Sequence, residues 1–142
     1  MAEFYVSVSE NDMATQIVSM INQYNKWSTK FSAQSILMTP ARYFVEIENS
    51  TVVGCVSCLT ECETLSKIQH ICILPSHRRK GLATRLTNIA IDNSETEYVY
   101  MTIREDNIAS LNLAKHLEFI YITKYWFRDH WTLTYARRKR TW

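Results

Sequence analysis

The sequence predicts an α/β (α+β) domain, and three observations carry that expectation. Short runs rich in β-branched and aromatic residues alternate apolar and polar, as half-buried strands do. Between them lie longer runs whose apolar residues recur at helical spacing. The two periods meet abruptly at Ile71-Cys72-Ile73-Leu74-Pro75, where an apolar strand reaches a proline that has no amide hydrogen to give a sheet.

In chain order, residues 4–8 alternate as a first strand. Ser9-Glu10-Asn11-Asp12 resembles a capping box, and Met13, Ile17, Met20, Ile21 and Tyr24 mark one face of the helix that follows. Residues 25–40 are less regular, with a short helix predicted over 32–37. Residues 42–48 and 51–60 form a strand pair around the Asn49-Ser50 turn signal. Gly54 lies inside the second of these strands, where glycine marks a bulge or a close backbone approach. After a loop at 61–64, residues 65–74 make the central strand. A helix begins after Gly81, with Leu82, Leu86, Ile89 and Ala90 on one face. Residues 98–103 form a strand, and Asp106 or Asn107 caps a helix with Leu113, Ala114 and Leu117 inward. Residues 119–127 and 131–135 are the last two strands. The chain thus contains about seven strands and about four helices.

Its 142 residues suit a single domain (residues 1–142) with a real core. No apolar run is long enough to span a membrane, and the first residues lack a signal-peptide pattern, so a soluble, cytoplasmic protein is expected. Net charge is +2, yet Arg137, Arg138, Lys139 and Arg140 carry +4, leaving −2 for the rest. The expected basic tail at 137–142 is either a solvated end or a contact for nucleic acid. Cys55 and Cys58 have a metal-like spacing, but three residues apart on a strand they point to opposite faces. With Cys62 and Cys72 they read as reduced thiols rather than a zinc site. The assembly is left open, a homodimer included.

The turn after the central strand carries the chemistry. A helix N-terminus presents unpaired amides and the positive end of the macrodipole. Gly81 and Ala83 keep that backbone accessible, and Arg78, Arg79 and Lys80 add charge. This is a phosphate site, although neither a P-loop nor a dinucleotide fingerprint is present.

Arg78-x-x-Gly81-x-Ala83 resembles the acetyl-CoA signature of the GCN5-related N-acetyltransferase (GNAT) superfamily. Asn107, Ser110 and Phe119 resemble that family's second motif, and the element order is similar along nearly the whole chain. The resemblance implies a mixed, mostly antiparallel central sheet flanked by helices. It implies an N-acetyltransferase that uses acetyl-CoA as co-substrate, needs no metal and acetylates an amine of a small molecule or peptide by direct attack on the thioester. Backbone groups at Ile71, Cys72 and Ile73 are then expected to pair with the pantetheine arm. Residues Arg78, Arg79, Lys80, Gly81, Leu82, Ala83 and Thr84 are expected to hold the pyrophosphate. Asn107 and Ser110 would contact the arm, and Trp27 and Phe31 would line the acceptor pocket.

The catalytic groups stay open. The motif's usual tyrosine, which protonates the leaving thiolate, falls on Ala114, and its glycine on Glu118. Tyr121 or Tyr125 from the next strand is one substitute, and water is another. The third alternative is a domain that binds acyl-CoA without transferring it. For the base, His70, Glu61 and Glu63 are the candidates. A strict two-residue period turns His70 away from Lys67, Gln69 and Ile71, the positions expected to face the cleft. A nucleic-acid role for Arg137, Arg138, Lys139 and Arg140 is the remaining rival.

Overall fold

A computed structural model describes residues 10–24 and 32–140. The predicted strand at 4–8, Trp27 and Phe31 lie outside the described residues. Helix α1 (Glu10–Tyr24) and helix α2 (Ala33–Met38) precede a hairpin of β1 (Arg42–Glu48) and β2 (Thr51–Thr60). There follow β3 (Leu65–Ile73), a single 3-10 turn (Pro75–His77) and α3 (Leu82–Asp92). The chain then runs through β4 (Tyr98–Arg104), α4 (Ile108–His116), β5 (Ile120–Phe127) and β6 (His130–Arg138). Among the described residues the strands form one six-stranded sheet, ordered β1-β2-β3-β4-β6-β5. All pairs are antiparallel except β3 with β4.

The sheet has a core on each face. On one side Ile68, Ile73, Val99, Met101 and Ile103 pack with Leu82, Leu86 and Ala90 of α3 and Leu111 and Ala114 of α4. On the other, Val45, Val52, Cys55 and Cys72 pack with Ile17, Met20 and Ile21 of α1 and Ile36 of α2. Cys55 and Cys58 belong to different cores, as alternation along a strand requires. Asn49 and Ser50 both have positive φ (52° and 62°), the two-residue loop whose twist suits a tight hairpin. Gln16 of α1 ties that hairpin down by accepting from the Val52 amide at 2.7 Å and donating to the Ser50 carbonyl at 3.2 Å.

Gly54 is a point of close approach. A Cβ there would sit 2.8 Å from Ile73 Cδ1, 3.1 Å from Leu82 and 3.2 Å from Leu86, so its bare backbone lets α3 settle on the sheet. The basic end is docked as well. Arg137 and Arg138 are the last residues of β6. Arg137 donates to the carbonyls of Leu117, Arg138 and Lys139, Arg138 pairs with Glu97 at 3.2 Å, and Lys139 donates to the Ser94 carbonyl. Among the described residues no helix is long and apolar enough to cross a membrane.

Candidate active site

Only Leu65, Ser66 and Lys67 of β3 pair with β4, opposite Tyr98, Val99 and Tyr100. Beyond that point the two parallel strands diverge and open a cleft of about 960 Å³ between them, closed at its sides by the N-terminal part of α3 and by α4 along its length. A bulge contributes to the divergence. Cys55 pairs with Cys72 and Ser57 with Gln69, so β3 carries one more residue than β2 across this interval. His70 takes up the extra length with φ 55°. An inserted residue bends a strand and breaks its alternation. Ile68 and Ile73, an odd number of residues apart, share one core, so the bulge reverses the phase of Lys67 relative to Ile73. His70 borders the cleft with Lys67, Gln69 and Ile71, its ring turned to Tyr43 on the α1 side of the sheet.

At the wide end the chain leaves β3 through the Pro75–His77 turn and enters α3. Arg79 and Gly81 both adopt left-handed backbone, φ 63° and 76°. The first intrahelical bond runs from the Arg85 amide to the Gly81 carbonyl at 3.0 Å, and no side chain caps the helix. The amides of Leu82, Ala83 and Thr84 therefore have no intrahelical acceptor, and all three residues line the cleft. No atom lies within 4 Å of where a Gly81 Cβ would stand, so a ligand has open access to this backbone. Open amides, a helix dipole and nearby cations fit a pyrophosphate.

The cations around the turn play different parts. Arg78 folds back to donate to the Ile73 carbonyl at 3.0 Å and lies over the Tyr24 ring, bracing the turn against the strand it leaves. His77 bridges Ser76 and Glu48 at 2.8 and 3.0 Å. Arg79 is exposed on the cleft wall, whereas Lys80 is exposed outside it. Ile71, Cys72 and Ile73 line the cleft along the unpaired edge of β3, although the Cys72 thiol is buried towards α1, where burial pushes it up to about 11.

Asn107 and Ser110 line the opposite wall. The Asn107 side-chain oxygen accepts from the Ser110 amide at 3.2 Å and so caps α4. Ala114 is fully buried in the core. Glu118 has φ 65°, the left-handed geometry of a residue just past a helix end. That geometry accounts for the glycine usual at this motif position.

The narrow end of the cleft is bordered by aromatic and charged groups. Tyr43 of β1 reaches His70, its hydroxyl 2.7 Å from Nδ1, with the rings stacked at 5.9 Å. Burial, and secondarily the Lys67 ammonium, pushes the His70 imidazole down to about 4. Burial likewise pushes the Tyr43 phenol up to about 12. Tyr100 donates a short hydrogen bond to Glu61, and Lys67 lies over its ring at 5.9 Å. Glu63 is exposed in the same loop as Glu61, and neither lines the cleft. Tyr121 and Tyr125 are exposed on β5, also outside the cleft lining. The sequence pointed to His70 but missed Tyr43, whose alternation on β1 is its only local signal.

Solved structures share this architecture. The ribosomal-protein-S18-alanine N-acetyltransferase from Escherichia coli superposes with a TM-score of 0.75 at 14% identity, over 90% of this chain and 88% of that one. Arabidopsis thaliana NAA60, solved with a bisubstrate analogue, gives 0.72 at 12% identity, over 92% and 93%. An aminoglycoside 6'-N-acetyltransferase complexed with coenzyme A gives 0.75 at 10% identity, over 91% and 92%. Among curated proteins none matches the chain in sequence. The model of the acetyltransferase (GNAT) family matches residues 11–119, most of the chain and every wall of the cleft, and the chain belongs to that family.

Proposed function

We propose that this protein transfers an acetyl group from acetyl-CoA to a primary amine, the amine attacking the thioester directly. The observation that carries the reading is the cleft between two splayed parallel strands, ending at an uncapped helix N-terminus. Acetyl-CoA supplies the activated acetyl group when bound. The amides of Leu82, Ala83 and Thr84 hold the pyrophosphate, with Arg79 adding charge. The open edge of β3 at Ile71 and Ile73 offers backbone groups to an extended arm, as an edge strand does to a peptide. A backbone N–H on that edge polarises the thioester carbonyl.

In the transfer a carbon–nitrogen bond forms, the carbon–sulfur bond breaks and the amine gives up a proton. In this reading His70 accepts that proton. Its depressed proton affinity keeps the imidazole neutral at physiological pH, and Tyr43 fixes the ring. With Ala114 buried where the family carries a phenol, proton delivery to the leaving sulfur falls to solvent at the cleft mouth. That same missing phenol supports a second reading, a domain that binds acyl-CoA without turning it over.

Calorimetric titration with acetyl-CoA and coenzyme A, followed by thiol-release assays across an amine panel, tests both. Binding with turnover supports transfer, and binding with no turnover on any amine supports the second reading. A folded sample that binds neither ligand overturns both.

A further inference from the structure

We infer that the acceptor is a small amine carrying a carboxylate, and that Lys67 binds the carboxylate. The inference rests on the transferase reading and concerns the other end of the same cleft. Lys67 is the last residue of β3 paired with β4, so it sits where the cleft closes, over the ring of its partner Tyr100. At the rise of a strand it is roughly 20 Å from Ile73, beside which the phosphates are held, too far to serve them. Its ammonium is half-buried on the cleft wall and, among the described residues, has no carboxylate within ion-pairing distance. Glu61, the acidic group on the same tyrosine, is engaged by the Tyr100 hydroxyl.

The described lining of the cleft contains no aspartate or glutamate at all. Its other cation near β4, Arg104, pairs with Asp106 at 2.8 Å. A diamine or polycation entering here meets no carboxylate on the described lining. A peptide N-terminus brings only neutral carbonyls close to its amine, weaker acceptors for the Lys67 ammonium than a carboxylate. An amino acid brings an anion of matching charge, and a charge-assisted hydrogen bond to it is stronger than one to a neutral group. The same ammonium disfavours protonation of the attacking amine, which must be neutral to react.

The test is titration of glycine, β-alanine and γ-aminobutyrate, each beside its carboxamide, into protein saturated with coenzyme A. Putrescine and a short peptide serve as uncarboxylated amines, and thiol release from acetyl-CoA is followed in parallel. At least one carboxylate form should bind about tenfold or more tightly than its amide. Lys67→Gln should erase that difference and leave acetyl-CoA affinity unchanged, which also shows the variant folded. Lys67→Glu should move the preference to putrescine. Equal binding of acid and amide, preference for putrescine or the peptide, no binding of any carboxylated amine, or selectivity surviving in Lys67→Gln would each overturn the inference. Carboxylate selectivity without thiol release removes the transferase reading but leaves Lys67 as the carboxylate site. Thiol release without that selectivity does the reverse.

Discussion

The hydroxyl of Tyr43 and Nδ1 of His70 lie 2.7 Å apart, joining β1 to the bulged residue of β3 across the intervening strand β2. The contact fixes a ring that would otherwise swing at a distorted point of the strand. His70→Gln should lower kcat about 10²-fold, the usual scale of a lost general base, with acetyl-CoA affinity unchanged. Tyr43→Phe keeps the stack and loses the hydrogen bond, so its effect on kcat should be in the same direction and smaller. Steady-state kinetics on both variants checks this, and an unchanged kcat in His70→Gln removes the histidine from the mechanism.

The same histidine sets a pH dependence of stability. Its folded-state pKa is depressed from 6.5 to about 4, so between those values the unfolded chain binds the extra proton. Stability therefore falls as pH drops from 6.5 towards 4 and is level in this respect outside that window. The loss should be on the order of 2 kcal/mol, discounted from the full shift because the ring is only partly buried. Denaturant midpoints for wild type and His70→Gln between pH 4 and 7 measure it. The wild type should show the steeper slope.

Gly81→Asp should abolish coenzyme A binding while the fold is retained. The new side chain meets open space, so it costs little in packing, and aspartate tolerates left-handed backbone better than most residues. Its carboxylate would stand where the pyrophosphate is expected. Calorimetry beside circular dichroism separates lost binding from lost structure.

Glu118→Gly should stabilise the protein by about 0.5–1 kcal/mol, because glycine takes the left-handed position after α4 without strain. Chemical denaturation reads the gain. Acetyl-CoA affinity should not change, since Glu118 does not line the cleft.

Most of the fold was legible because it depends on local pattern. The switch from strand to helix through Pro75 and Gly81, the Asn49-Ser50 hairpin and the tight packing at Gly54 all have short-range signatures. The bulge at His70 has none. A one-residue insertion is defined only by the partner strand, so counting by twos carried the wrong phase through it. The Tyr43 contact was hidden for the same reason, being set by register across β2. Arg137 and Arg138 read as a charged tail because composition does not show which backbone carbonyls await a guanidinium. The stretch instead completes β6, with Arg137 spent on three carbonyls.

Three residue pairs are all the ladder that joins β3 to β4, so across this seam the two halves of the sheet are held largely by the side-chain core that α3 and α4 share. Backbone amides open more readily where few ladder bonds hold them. A molecule lying in the gap and touching both walls would act as a brace, slowing amide exchange along the seam.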